Sequence, residues 1–142
     1  MKGIARNTVN VRAIRTLIVD DDEPLRMLMH YVLEDAEGYE VVGEAVDGVE
    51  ALELVKAERP DLVLLDLMMP RMDGFEALPL IRASNPDCLI VVLSMMPSED
   101  AEGDALRLGA DLFLDKSTST DAILATLDRL VHERFGVVTR TT

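Results

Sequence analysis

At four points along the chain a carboxylate, a hydroxyl or an amine comes directly after a short apolar run. Asp20-Asp21-Asp22-Glu23 follows Thr16–Val19, and Asp66 follows Leu62–Leu65. Ser94 follows Leu89–Leu93, and Asp115-Lys116 follows Leu112–Leu114. Several carboxylates brought to one crevice repel one another, and a hard divalent cation with oxygen ligands relieves that repulsion. Mg2+ takes one or two carboxylates, keeps several waters and leaves room for phosphate oxygens. A carboxylate facing such an ion can act as a nucleophile toward phosphorus and form an aspartyl-phosphate. Charge then spreads over the phosphoryl oxygens, so a nearby cation and a hydroxyl donor assist. Lys116 and Ser94 are the groups for those two tasks.

These residues meet only if the runs before them are neighbouring strands of one sheet. Three runs are continuous rather than alternating, as in strands buried on both faces of a parallel sheet. A fifth run, Tyr39–Val42, carries no such group at its end. Helical spacing fills the intervals. Leu25, Leu28, Met29 and Val32 form one stripe, and Val49, Leu52 and Val55 form another that Arg59-Pro60 ends. Phe75, Leu78 and Ile81 fit a third helix, which Pro79 should kink or shorten. Ala101, Ala105 and Leu108 fit a fourth with Gly109 as its stop. Ile123, Leu127, Leu130 and Val131 mark the fifth, with Ser119 or Asp121 as its cap. The pattern is (βα)5, an α/β sandwich with right-handed crossovers and helices on both faces. Ligands in such sheets bind at the carboxyl ends of the strands, where the four chemical groups fall.

The segment Leu17-Ile18-Val19-Asp20-Asp21-Asp22-Glu23-Pro24-Leu25-Arg26 resembles the opening of a bacterial response-regulator receiver domain of two-component systems. Pro60 to Gly74, with Asp66 followed by Leu67-Met68-Met69-Pro70-Arg71-Met72-Asp73-Gly74, resembles the stretch around that family's phospho-accepting aspartate. Val91-Val92-Leu93-Ser94 and Gly109 to Lys116 are similar to its fourth and fifth strands. The likeness runs from about Arg15 to Val131 and implies a flavodoxin-like five-stranded parallel sheet of order 2-1-3-4-5. It implies that Asp66 accepts a phosphoryl group from a histidine kinase or phosphotransfer protein. Asp21 would ligate Mg2+ directly, Asp20 through water, and Met68 by its backbone carbonyl. Ser94 and Lys116 would hold the phosphoryl group, and Ser94 with Phe113 would form the switch. Output would pass through the face of the fourth helix, fifth strand and fifth helix, which is also where a homodimer would form. Two departures stand out. Met95 and Met96 follow Ser94 where small residues are common, and with Met68 they lead us to expect slow hydrolysis of the phosphoryl group. Ser117 stands where proline often follows the lysine, so the loop into the last helix is expected to take another path.

Composition narrows the remaining choices. The 142 residues carry a net charge of −13, which repels phosphate backbones, so no nucleic-acid partner is expected. The single cysteine, Cys88, permits no internal disulfide and reads as a small apolar residue near a strand start. No apolar run approaches the ~20 residues of a membrane span, and the basic start lacks the apolar core of a secretory signal, so a cytoplasmic protein is expected. The domain is expected over 14–133, with 1–13 as a flexible arm and 134–142 as a tail carrying no output domain. Asp22 and Glu23 suit a helix N-terminus, and Pro70 and Asp73-Gly74 suit loop shaping. His30 and His132 read as solvated. Such a chain would turn over no small molecule, acting on its own aspartate alone. Two alternatives stand beside this reading. One is a phosphorylation-independent interaction module. The other is an aspartate-nucleophile phosphatase, against which Pro24 and Met68 stand at positions where that chemistry needs other residues.

Overall fold

The computed structural model describes residues 12–136. The expected arm and tail therefore lie mostly outside the described residues. Five strands alternate with five helices: β1 Ile14–Val19, α1 Glu23–Asp35, β2 Tyr39–Ala45, α2 Gly48–Glu58, β3 Leu62–Asp66, α3 Gly74–Ser84, β4 Leu89–Ser94, α4 Glu99–Leu108, β5 Leu112–Asp115 and α5 Thr120–Phe135. All neighbouring strands pair in parallel, in the order β2-β1-β3-β4-β5. The flavodoxin-like order expected from the resemblance is the order observed.

The alternation of side chains along each strand divides the core in two. Leu17, Val63, Leu65, Ile90 and Val92 face α2, α3 and α4 through Ala51, Val55, Ala77, Leu78, Ile81 and Ala105. Ile18, Leu62, Leu64, Leu89 and Val91 face α1 and α5 through Met29, Leu33, Ile123, Leu127 and Val131. With helices on both faces, β3 and β4 are buried at every residue, which is why their sequences are unbroken apolar runs.

Side-chain caps set the helix starts. Asp22, Asp47, Asp73, Ser98 and Ser119 each accept a hydrogen bond from a first-turn backbone N–H, and Asp73 with Glu76 makes a reciprocal capping box. Gly109, at φ 123°, ends α4. Three details differ from the sequence pattern. Leu33, not Leu28, is the buried partner of Met29, and Leu28 stays largely exposed. Val49 lies on the exposed side of α2, where Ala51 takes its place in the core. Helix α3 runs on to Ser84 past Pro79, because Leu78 and Ile81 hold the turn on either side in the core.

α4 is the most lightly seated of the helices. Ala105 is its one buried residue, and four acids and two leucines make up most of the rest.

Candidate functional site

Register places the chemical groups side by side. Val19 pairs with Leu65, Asp66 with Leu93, and Ser94 with Asp115. Asp20 therefore leaves β1 next to Asp66, and Ser94 leaves β4 on Asp66's other side. Carboxylate oxygens of Asp20, Asp21 and Asp66 all lie within 4.8 Å of one another. Asp20 and Asp66 are buried and Asp21 is exposed. Lys116 closes the group: its Nζ lies 2.8 Å from Asp20 Oδ2 and 3.4 Å from Asp66 Oδ1.

Local structure fixes each member. The Asp22 N–H donates to Asp20 Oδ1 at 2.9 Å, and the Asp20 N–H donates to the Ala45 carbonyl at 3.0 Å. The Met68 N–H donates to Asp66 Oδ1 at 3.3 Å, which sets the Met68 main chain against the carboxylate. The loop that follows is folded back tightly. The Gly74 N–H donates to Leu67 O at 2.9 Å, and a Cβ on Gly74 would stand 2.3 Å from the Asp66 carbonyl oxygen. Only glycine permits that approach. Arg71 takes the left-handed conformation (φ 65°) and pairs with Asp47, a buried acid that caps α2. The Gly48 N–H donates to Met72 O at 2.8 Å, so the β2–α2 and β3–α3 loops are joined twice.

Ser94 is buried, and its hydroxyl accepts from the Met96 N–H at 3.1 Å. Phe113 is half-buried against the core layer that contains Val92 and Ala105. Met68, Met95 and Met96 are each more than 60% exposed, on the loops that carry the site. Asp115 turns away from the cluster and accepts from both the Ser117 N–H and the Ser117 hydroxyl at 2.8 Å. A proline at 117 would have no N–H for that turn.

The charges are unbalanced in a telling way. Burial, and then the neighbouring Asp20 carboxylate, push Asp66 up to about 6 from an ordinary 3.8, against the opposing pull of Lys116. Burial works against the Lys116 ammonium, but its bond to Asp20 and the charges of Asp66 and Asp20 outweigh this and hold it above the usual lysine value. One ammonium thus serves two buried carboxylates, with a third at the rim. An all-oxygen donor set with excess negative charge fits a hard divalent cation.

The spacing of residues did not point to two further contacts. Asp47 and Arg71 lie 24 residues apart and meet only through the loops. His30, expected to be solvated, is held by Glu44 on β2 and by Glu34 one turn along α1. The Glu34 pair was legible from its i, i+4 spacing, whereas Glu44 was not. His132 is exposed and Cys88 is buried, both in keeping with the sequence. No helix among the described residues is long and apolar enough to cross a membrane.

Known proteins resemble this chain along most of its length. The chain is 37% identical over 120 residues to the chemotaxis protein CheY of Bacillus subtilis, covering 84% of this chain and 99% of that one. It is 35% identical over 128 residues to a protein-glutamate methylesterase/protein-glutamine glutaminase of Methanospirillum hungatei, covering 89% of this chain and 37% of that protein. The chain thus spans about a third of the length of that methylesterase. The solved complex of CheX with CheY, BeF3 and Mg2+ from Borrelia burgdorferi superposes with a TM-score of 0.80 at 26% identity, covering 87% of this chain and 92% of that one. The model of the response regulator receiver domain matches residues 16–128. Because that match takes in both the strand ends and the residues gathered there, the chain belongs to the response-regulator receiver family of phosphorelay signalling.

Proposed function

We propose that the chain is a chemotaxis-type receiver that takes a phosphoryl group on Asp66 from a histidine kinase or phosphotransfer protein, and passes the signal on by protein contact. The observation that carries this reading is the gathering of Asp20, Asp21 and Asp66 at the carboxyl edge of the sheet, with the Lys116 ammonium against Asp20 and Asp66. A Mg2+ ion, when bound, would supply neutralising charge for carboxylate and phosphoryl oxygens together. Asp20, Asp21, Asp66 and the Met68 backbone carbonyl would hold it.

In the transfer, an Asp66 carboxylate oxygen forms a bond to phosphorus as the P–N bond of the donor phosphohistidine breaks, and the imidazole nitrogen leaves with that electron pair. Lys116 supplies fixed positive charge beside the new phosphoryl oxygens, and the Ser94 hydroxyl donates to one of them. That turns the hydroxyl from the Met96 N–H it now accepts from, and Phe113 moves inward behind it. Such a local charge change biasing a two-state element is how switches of this kind work. Output leaves by the α4–β5–α5 face, which also offers a homodimer contact. The donor approaches over the cavity of about 220 Å³ lined by Asp20, Leu25, Leu28, Lys116 and Ile123.

The chain turns over no small molecule under this reading, is cytoplasmic, and binds neither nucleic acid nor membrane. Its receiver domain spans 14–133. That the Borrelia relative was solved with CheX supports protein partners.

The test is intact-protein mass after incubation with Mg2+ and acetyl phosphate, wild type beside Asp66→Asn. A gain of one phosphoryl group in wild type alone, lost on chelation, is expected. No gain in a folded wild type would favour a phosphorylation-independent interaction module.

A further inference from the structure

Asp20 is held at more atoms than a strand-end residue requires. Its N–H, Oδ1 and Oδ2 are bound to Ala45 O, the Asp22 N–H and Lys116. Its own carbonyl oxygen, at the point where the chain leaves the sheet, accepts from Arg26 Nη1 at 2.7 Å. The Arg26 main-chain N–H donates in turn to Asp22 O at 3.0 Å. One residue thus holds the carbonyls on both sides of Asp21.

Arg26 is itself anchored. Its side chain is 14% exposed, and Nε donates to Glu44 Oε1 at 2.9 Å. Glu44 Oε2 pairs with His30 Nδ1 at 2.5 Å, and His30 Nε2 pairs with Glu34 at 3.2 Å. Glu44 immediately precedes Ala45, which receives the Asp20 N–H. The end of β2 therefore reaches Asp20 twice, directly through Ala45 and through Glu44 and Arg26.

We infer that Arg26 is a positioning residue for the cation site: by holding the Asp20 carbonyl, with Glu44 as its anchor, it fixes the direction in which the Asp20 and Asp21 carboxylates leave β1. The inference rests on the Mg2+ reading above. A guanidinium suits this role because its fork reaches a carbonyl and a carboxylate at once in a fixed plane, which a lysine ammonium cannot do. Residues that orient metal ligands without touching the metal typically set affinity by ~10–100-fold.

The test combines Mg2+ titration by calorimetry with amide hydrogen exchange by NMR in Mg2+-free buffer. Arg26→Ala is expected to weaken Mg2+ binding by about tenfold, and to speed exchange at the Asp20 and Asp22 amides while β3 stays protected. Arg26→Lys is expected to recover part of both. Arg15→Ala, which removes an ion pair with Glu58 at the opposite end of the sheet, is expected to lower Tm without changing either readout. Should Arg26→Ala fail to fold, Glu44→Gln takes its place, with a smaller loss in the same two readouts. Mg2+ affinity within twofold of wild type in the substituted protein would overturn the inference, whatever its Tm. If wild type binds no Mg2+, the magnesium reading fails, and the exchange data alone decide whether Arg26 positions Asp20.

Discussion

The Lys116 ammonium lies closer to Asp20, at 2.8 Å, than to Asp66, at 3.4 Å. In this state the lysine is chiefly the counter-ion of an expected metal ligand and only secondarily that of the expected phosphoacceptor. Another positive charge at Asp20 would be expected to free Lys116 for Asp66. A cation bound as proposed would therefore compete with the lysine for one carboxylate.

Lys116→Gln tests that competition. Removing one partner of a buried ion pair leaves uncompensated charge and costs about 3 kcal/mol. Mg2+ should then replace the missing ammonium. The variant is expected to melt below wild type in chelator and to gain more in Tm from Mg2+ than wild type does. Equal Mg2+-induced shifts in the two proteins would show that lysine and cation do not compete.

Asp66 makes stability fall as pH rises. Its folded value of about 6 lies above the ordinary 3.8, so the folded state binds this proton more tightly than the unfolded chain. The resulting cost appears as pH climbs from near 4 to near 6 and is complete above that window. Asp66→Asn removes the charge but also the Lys116 pairing. A net gain of ~1–2 kcal/mol is expected near neutral pH without metal, fading toward pH 4. Urea unfolding across that range reads it, and a gain independent of pH would point to some other cause.

His30 acts in the same direction, over a higher pH window. The bond to Glu44, then that to Glu34, raises its value above 6.5 despite partial burial. The stabilisation is fully present below about 6.5 and is lost as pH rises through the folded value. His30→Gln should therefore differ most from wild type in mild acid and converge with it in alkali. A constant gap across pH would refute the pairing.

Two glycines should respond in opposite directions to alanine. Gly74→Ala drives a methyl into the Asp66 carbonyl oxygen and is expected to cost stability and abolish phosphoryl acceptance together. At Gly103, inside α4, an added methyl would meet no atom within 4 Å. Gly103→Ala should stabilise by about 1 kcal/mol through helix propensity alone. Thermal melts of both variants decide the matter, and a tolerated Gly74→Ala would mean that the loop relaxes at little cost.

The exposed methionines bear on how long the signal lasts. Met68, Met95 and Met96 offer no hydrogen bond to an incoming water, so hydrolysis of the phosphorylated protein is expected to be slow. Met68→Asn and Met95→Ala are expected to shorten the phosphoryl lifetime, read by mass after donor removal. An already short wild-type lifetime would refute this.

The sheet and the central site were legible because continuous apolar runs and the charged residues that end them are local features. Asp20, Asp66 and Lys116 needed only their strand ends to be brought into register. Leu28 and Val49 misled because a stripe at helical spacing does not say how far round the core reaches. In α1 the buried stripe moves to Leu33, leaving Leu28 beside the cavity. Arg26–Glu44 and Asp47–Arg71 were illegible because each joins loop or helix to a distant element, and only the folded path brings them within reach. Pro79 reads as disruptive under a local rule, whereas in the fold the burial of Leu78 and Ile81 prevails.

The double tie between the β2–α2 and β3–α3 loops has a mechanical consequence. On one flank of Asp66 the backbone is cross-braced, by Asp47 to Arg71 and by Gly48 to Met72. On the other flank, α4 is seated by buried Ala105 and half-buried Leu108 only. The carboxyl edge of the sheet is thus stiff on one side and compliant on the other, like a bench vice with a single moving jaw. Under the switch proposed above, a displacement begun at Asp66 is expected to run toward β4, α4 and β5, in a direction set by the bracing before any partner is met.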